Sequence, residues 1–178
     1  GEKVKMSTRK ANFITLDELM DDVGADVTRY FFLMRHMNSH LNFDLTLART
    51  QSDENPVFYI QYAHARICSI IALARDKGVP IDEEADLKLL ESPEETDLIK
   101  HLLDFPSTVR NCAEHYEPHR MTNYLYELAT LFHKFYTERR VISEESTLSK
   151  ARIALIRAAR IVIANGLSLL GISAPERM

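Results

Sequence analysis

The chain has 178 residues, a formal net charge of -4 and a pI near 6.0. With 46% hydrophobic and 27% charged residues, it can bury a core and lies far from the apolar-poor composition of disordered chains, so one domain, or one domain with an appendage, is expected. Five glycines and six prolines are too few for a turn-rich sandwich or barrel, which leaves helix as the expected element.

The sequence opens at Gly1 on a basic stretch containing Lys3, Lys5, Arg9 and Lys10, and it reads as a piece cut from a longer protein. Thr15 and Glu18 form a T-x-x-E capping box for a short helix ending near Gly24. A second helical pattern runs from about 25 to 37, and 38–52 reads as loop with at most one helical turn. Asn55 and Pro56 supply a cap and a first-turn proline for a long helix that Gly78 stops after Lys77. Ser92, Pro93 and Glu95 open another helix, which Pro106 must kink or divide. Pro118 starts a helix reaching about Arg139, and the last runs from about Ser146 to Leu170, closed by Gly171. The fold class expected is all-α, a helical bundle preceded by a loop and short helices.

Several chemistries are not indicated. Cys68 and Cys112 stand far apart without a C-x-x-C, so they read as intracellular thiols and not as a disulfide framework or zinc site. No signal-peptide pattern leads the chain, and its most apolar stretch, 153–172, is interrupted by Arg157, Arg160 and Asn165, so neither secretion nor a membrane span is expected. His36 with His40, and Cys112 with His115, each lack the further ligands a metal site needs. No Ser-His-Asp order or glycine-rich phosphate loop is present, so no catalytic residues are assigned within this chain.

Charge is uneven. Residues 82–97 hold eight acidic side chains and one lysine, whereas 134–160 holds seven basic against three acidic. The basic run fits either a polyanion-binding face or a solvated helix surface. In the helix after Pro56, helical spacing puts Val57, Ile60, Gln61, His64, Ile67, Cys68 and Ile71 on one face, the expected core side. Tyr59, Tyr62 and Arg66 share another face. Two phenol rings and a guanidinium on a rigid helix suit unstacked bases, because aromatic and guanidinium planes stack on any base and arginine also meets phosphate. The same spacing also fits a helix buried all round, with both tyrosines in a second core layer and Arg66 in an internal ion pair.

The helix after Pro118 gathers Met121, Leu125, Leu128, Ala129, Phe132, Phe135 and Tyr136 as a core stripe from which only Tyr136 could turn outward. In the last helix Leu155, Ala159, Val162, Gly166 and Leu169 are the expected buried face. Lys150 and Arg157 lie opposite, able to meet phosphates or simply solvated. At the other end, 5–12 form a basic, hydroxyl-bearing loop of the kind that clamps a triphosphate while pyrophosphate leaves.

Taken together these residues resemble one family. Lys5-Met6-Ser7-Thr8-Arg9 resembles the KMSKS loop of class I aminoacyl-tRNA synthetases, in the form that arginyl-tRNA synthetases carry. Gly24-Ala25-Asp26-Val27-Thr28-Arg29-Tyr30-Phe31-Phe32 is similar to the segment that follows it in those enzymes. Asn55-Pro56-Val57-Phe58-Tyr59-Ile60-Gln61-Tyr62-Ala63-His64-Ala65-Arg66 is similar to the opening of their helical anticodon-binding domain, and Ala174-Pro175-Glu176-Arg177-Met178 to their C-terminus.

The resemblance implies a parent ligase that joins arginine to tRNA(Arg) through an arginyl-adenylate made from ATP, with Mg2+ accompanying the nucleotide. It implies a cytoplasmic monomer of protein biosynthesis with no membrane or DNA partner. Residues 1–52 would be the signature loop and linking helices from the end of the catalytic domain, and 53–178 the anticodon-binding domain. Lys5, Met6, Ser7 and Arg9 would face ATP, while Tyr62, Arg66, Tyr136 and Met178, with Tyr59 as a lesser candidate, would contact the anticodon loop.

There are departures. Thr8 replaces the second signature lysine and Ala11 a usual glycine, and the nucleotide-binding sheet with its His-x-Gly-His motif and the arginine pocket are absent. The piece alone is therefore expected to make no adenylate and to hold no tight cofactor. The alternative is a helical protein-interaction module, with the same aromatics as anchor and 82–97 as an acidic rim.

Overall fold

A computed structural model describes residues 13–81, 84–143 and 145–178. Among the described residues there are eight α-helices: α1 (Leu16–Val23), α2 (Ala25–Leu33), α3 (Leu45–Arg49), α4 (Pro56–Asp76), α5 (Pro93–Leu103), α6 (Phe105–His115), α7 (His119–Glu138) and α8 (Ser146–Leu169). A single 3₁₀ turn at Leu87–Leu89 precedes α5, and no strand occurs among the described residues. The fold is an all-α bundle.

The expected caps are in place. The Thr15 backbone N–H donates to Glu18 Oε2 at 2.7 Å and the Glu18 N–H returns to Thr15 Oγ1 at 3.1 Å, which fixes the start of α1. Asn55, 1% exposed, caps α4 by accepting from the Val57 N–H at 3.2 Å, and it also donates to the carbonyls of Ala48 and Thr50 at 3.2 and 3.0 Å. The cap therefore fastens α3 to the root of α4. Pro106 divides what would be one helix into α5 and α6, because its ring clashes with the preceding turn and it donates no hydrogen bond. The second helix stops earlier than its pattern suggests, at Leu33 and not Met37, and the chain turns through 36–39, where Ser39 bonds the His36 carbonyl.

At the centre α4 packs against both α7 and α8, which also touch each other, and α5 covers the α7–α8 edge. From α7, Leu125, Leu128, Phe132 and Phe135 are completely buried, each contributing on the order of 1.5–3 kcal/mol by leaving water. Among the described residues α4 is long and apolar enough to cross a membrane, yet 56% of that stretch is buried inside the bundle. Its expected core face is buried except for Cys68, which is half-exposed.

The last helix departs from its expected face. Leu155, Ala159 and Gly166 are buried, but Val162 is only half-buried and Leu169 is 61% exposed, while Ile156, Ile163 and Leu167 are fully enclosed. With α4, α5 and α7 all against it, α8 buries a wider arc than one stripe. Gly166 lets Leu125 of α7 press closely against α8, since a Cβ there would stand 2.6 Å from Leu125 Cδ2. Gly166→Val is expected to cost about 1–3 kcal/mol by overpacking, read as a lowered denaturant midpoint, with Leu125→Ala restoring part of it in the double variant.

Candidate nucleic-acid interface

The outer edge where α4 meets α7 is lined by aromatic rings. From α4, Tyr59 lies 4.7 Å from the His133 ring and 5.3 Å from Tyr126, centroid to centroid, and Tyr62 lies 5.9 Å from His133 at an interplanar angle of 23°. The Arg66 guanidinium stands over two rings, 5.2 Å from the Tyr62 centroid and 5.5 Å from that of Tyr136, and donates a hydrogen bond to the Tyr62 phenol oxygen. That bond, chiefly, raises the guanidinium pKa above its ordinary value, so its charge is permanent. Tyr136 is 38% exposed and stacks on the buried Phe132 at 6.1 Å.

Tyr59, Tyr62 and Arg66 therefore share one face, as expected, but they do not stand clear in solvent; each is half-buried against α7. Nor are they sealed in a second core layer, and the partner of Arg66 is a pair of phenol rings, not a carboxylate. The result is a preformed, partly covered platform. Tyr62, Arg66 and Tyr136 are brought together directly, and Tyr59 sits beside them through His133.

Met178 lies in an adjoining groove of about 520 Å3, lined by Asp22, Val23, Arg49, Phe58 and Gln61 among others. Phe58 of that groove and Tyr62 of the platform are four residues apart on α4, a spacing that makes them neighbours on the helix surface. The tail that carries Met178 is anchored across α4. Gln61 donates to the Ser173 carbonyl and to Asp26 Oδ2, both at 3.0 Å, and His64 Nδ1 lies 2.9 Å from the Pro175 carbonyl oxygen. Arg29 bonds the carbonyl of Gly171, whose φ of +69° ends α8.

Two residues of the platform, Tyr126 and His133, are not among those the sequence nominated. They are seven residues apart on α7, a spacing that puts them on one face, but the heavier aliphatic stripe beside them dominated the pattern.

The basic run between 134 and 160 is largely engaged inside the fold. Arg139 pairs with Glu94 at 2.9 Å, Arg152 pairs with the buried Glu95 at 2.6 Å, and Arg157 donates to the Ile81 carbonyl. Arg157 and Lys150 are half-buried, so the picture of both on an open outer surface is replaced by a structural role for Arg157. Glu94 and Glu95 likewise serve as ion-pair partners and not as part of an acidic rim. Lys134 and Arg140 remain exposed.

Lys5, Met6, Ser7 and Arg9 lie outside the described residues. No group of three or more His, Cys, Asp or Glu side chains placed to hold a metal occurs among the described residues. His36 stands next to His119 and Glu117 instead, with its Nε2 3.4 Å from Glu117.

Residues 60–178, two-thirds of the chain and including Tyr62, Arg66, Tyr136 and the anchored tail, match the family described as DALR anticodon binding domain. The chain belongs to the DALR anticodon-binding family. Its DALR region is shared with longer proteins. The arginine–tRNA ligase of Salinibacter ruber is 55% identical over 177 residues, and that of Moorella thermoacetica 52% over 180. These matches cover 99% and 100% of this chain but 32% of each relative, so the chain spans about a third of the length of the curated relatives it matches. A crystal structure from Campylobacter jejuni superimposes with a TM-score of 0.84 at 32% identity, covering 98% of this chain and 37% of that one. Thermus thermophilus arginyl-tRNA synthetase gives 0.75 at 29%, covering 96% and 29%.

Proposed function

We propose that this chain is the tRNA-reading portion of an arginine–tRNA ligase, the enzyme that attaches arginine to tRNA(Arg) with ATP through an arginyl-adenylate. The observation that carries the reading is the Tyr62–Arg66–Tyr136 arrangement, a fixed cation between two exposed-edge rings inside a DALR region. Bases stack on such rings whatever their identity, and a permanently charged guanidinium adds cation–π and phosphate contacts.

In this reading Tyr62, Arg66 and Tyr136 receive the anticodon loop, Tyr59 supports them, and Met178 closes the adjoining groove. Residues 1–52 belong with the catalytic domain and 53–178 form the reading domain. Lys5, Met6, Ser7 and Arg9 contribute to the ATP-facing loop. Arginine, ATP and its Mg2+ are handled by the remaining two-thirds of the ligase, a cytoplasmic monomer.

Titrating the intact protein with tRNA(Arg) and with a noncognate tRNA at about 50 and 200 mM salt tests this. The cognate affinity is expected to fall about a hundredfold or more between the two conditions, as phosphate contacts release counterions. Binding that barely changes with salt, or that does not distinguish the two tRNAs, would overturn it, and the first outcome is the behaviour of an aromatic anchor for another protein.

A further inference from the structure

His133 differs from His64, His101 and His115. His64 Nδ1 lies 2.9 Å from the Pro175 carbonyl oxygen, His101 Nε2 3.0 Å from that of Tyr124, and His115 Nδ1 3.0 Å from that of Asn111. The Nε2 of His133 is shut off from solvent and has no hydrogen-bond partner among the described residues. Leaving a buried polar atom unpaired costs stability, so one at the heart of a binding platform calls for a reason. Its ring is flanked by Tyr59 and Tyr62, at 4.7 and 5.9 Å. Burial pushes its pKa below the ordinary histidine value; the Tyr59 backbone opposes this and the Arg66 charge adds to it. A neutral imidazole keeps one bare nitrogen able to accept a hydrogen bond.

We propose that His133 is a specificity-determining residue of the platform, its Nε2 accepting an N–H, exocyclic amino or ring imino, from the edge of the base that stacks against Tyr62. This deepens the tRNA reading above and rests on it. Stacking alone is blind to base identity, and a buried acceptor supplies the discrimination, since a base that cannot present a donor there leaves the nitrogen unpaired. Reaching the sealed nitrogen requires side chains to move, and Arg66, held at Tyr62 and Tyr136 through ring faces and the Tyr62 oxygen, is a long side chain that changes rotamer readily.

The test is equilibrium binding by the intact protein, wild type, His133→Phe and His133→Gln, to tRNA(Arg) transcripts carrying single base replacements through the anticodon loop, together with the thermal midpoint of each protein. His133→Phe keeps a flat ring and removes the orphan nitrogen. Its midpoint should hold or rise while its affinity for the native transcript falls about tenfold and the penalty for one particular base replacement disappears. His133→Gln, which keeps a carbonyl acceptor, should recover part of both. An unchanged ranking of transcripts by His133→Phe overturns the proposal while leaving the tRNA reading intact, provided Tyr62→Ala still weakens binding. A midpoint that falls together with affinity in both variants shows a merely structural histidine and also overturns it. If the wild-type protein itself prefers no tRNA, the platform reading fails and this proposal with it.

Discussion

Arg152→Met will destabilise the bundle by about 3–5 kcal/mol, the cost of leaving one member of a buried ion pair without the other. The guanidinium Nε lies 2.6 Å from Glu95 Oε1, and the two side chains are 11% and 1% exposed. Its Nη1 also donates to the Arg140 carbonyl at 2.7 Å, and Glu95 Oε2 accepts from the Ser92 N–H at 2.9 Å. One side chain of α8 thus ties the root of α5 to the segment that follows α7. Methionine preserves helix propensity and most of the volume, so the loss reads on the charge. Arg152→Met combined with Glu95→Leu should regain most of the stability, because the stranded carboxylate goes with its partner.

Acid gives a second readout with a definite sign. Burial pushes the Glu95 carboxyl up, but the Arg152 guanidinium and the Ser92 backbone outweigh it and hold the group below the ordinary carboxylate range. A depressed folded-state pKa means that its stabilisation is complete above the unfolded value of about 4.3 and fades as pH falls through the folded value. In Arg152→Met burial is opposed only by the hydrogen bonds at Ser92, so that variant should lose less on acidification from pH 7 than the wild type. Parallel denaturant midpoints at both pH values would count against a buried ion pair.

Arg66→Ala should weaken tRNA(Arg) binding by the intact protein by about 1–3 kcal/mol, roughly 5- to 150-fold, with little change in thermal midpoint because the side chain is half-exposed and meets ring faces, not a core partner. Tyr62→Ala should do the same through lost stacking. The two effects will not add, since Arg66 is held by the Tyr62 ring and oxygen, and residues in contact couple. Tyr62→Phe removes only the hydroxyl that accepts from Arg66, so a small effect there beside a large one in Tyr62→Ala would place the energy in the ring. Affinities equal to wild type in both alanine variants would remove the platform from the account of binding.

Much of this bundle was legible because its punctuation is local. Thr15 with Glu18, Asn55 with Pro56, Pro106 and Gly171 each act within one turn of helix, so they mark boundaries without knowledge of the rest. The grouping of Tyr59, Tyr62 and Arg66 follows from helical periodicity in the same way. What could not be read is what crosses between helices. The arc buried by α8 depends on how many neighbours surround it, so Leu169 was placed inside and Ile163 passed over. The basic run looked available because its acidic partners Glu94 and Glu95 sit some 45 to 57 residues away in sequence. His133 joined the platform only once α7 was laid beside α4. For Tyr136 the family resemblance added what periodicity alone assigned to the core.

The tail that ends at Met178 has a mechanical consequence. Ser173 donates its backbone N–H and its hydroxyl to Asp26, 147 residues earlier, with Gln61 gripping both partners from beneath. This closes the described chain like a clasp, so α2 cannot peel away from the bundle without also releasing the strap beside the reading surface, and the two should open and reseal as one cooperative unit.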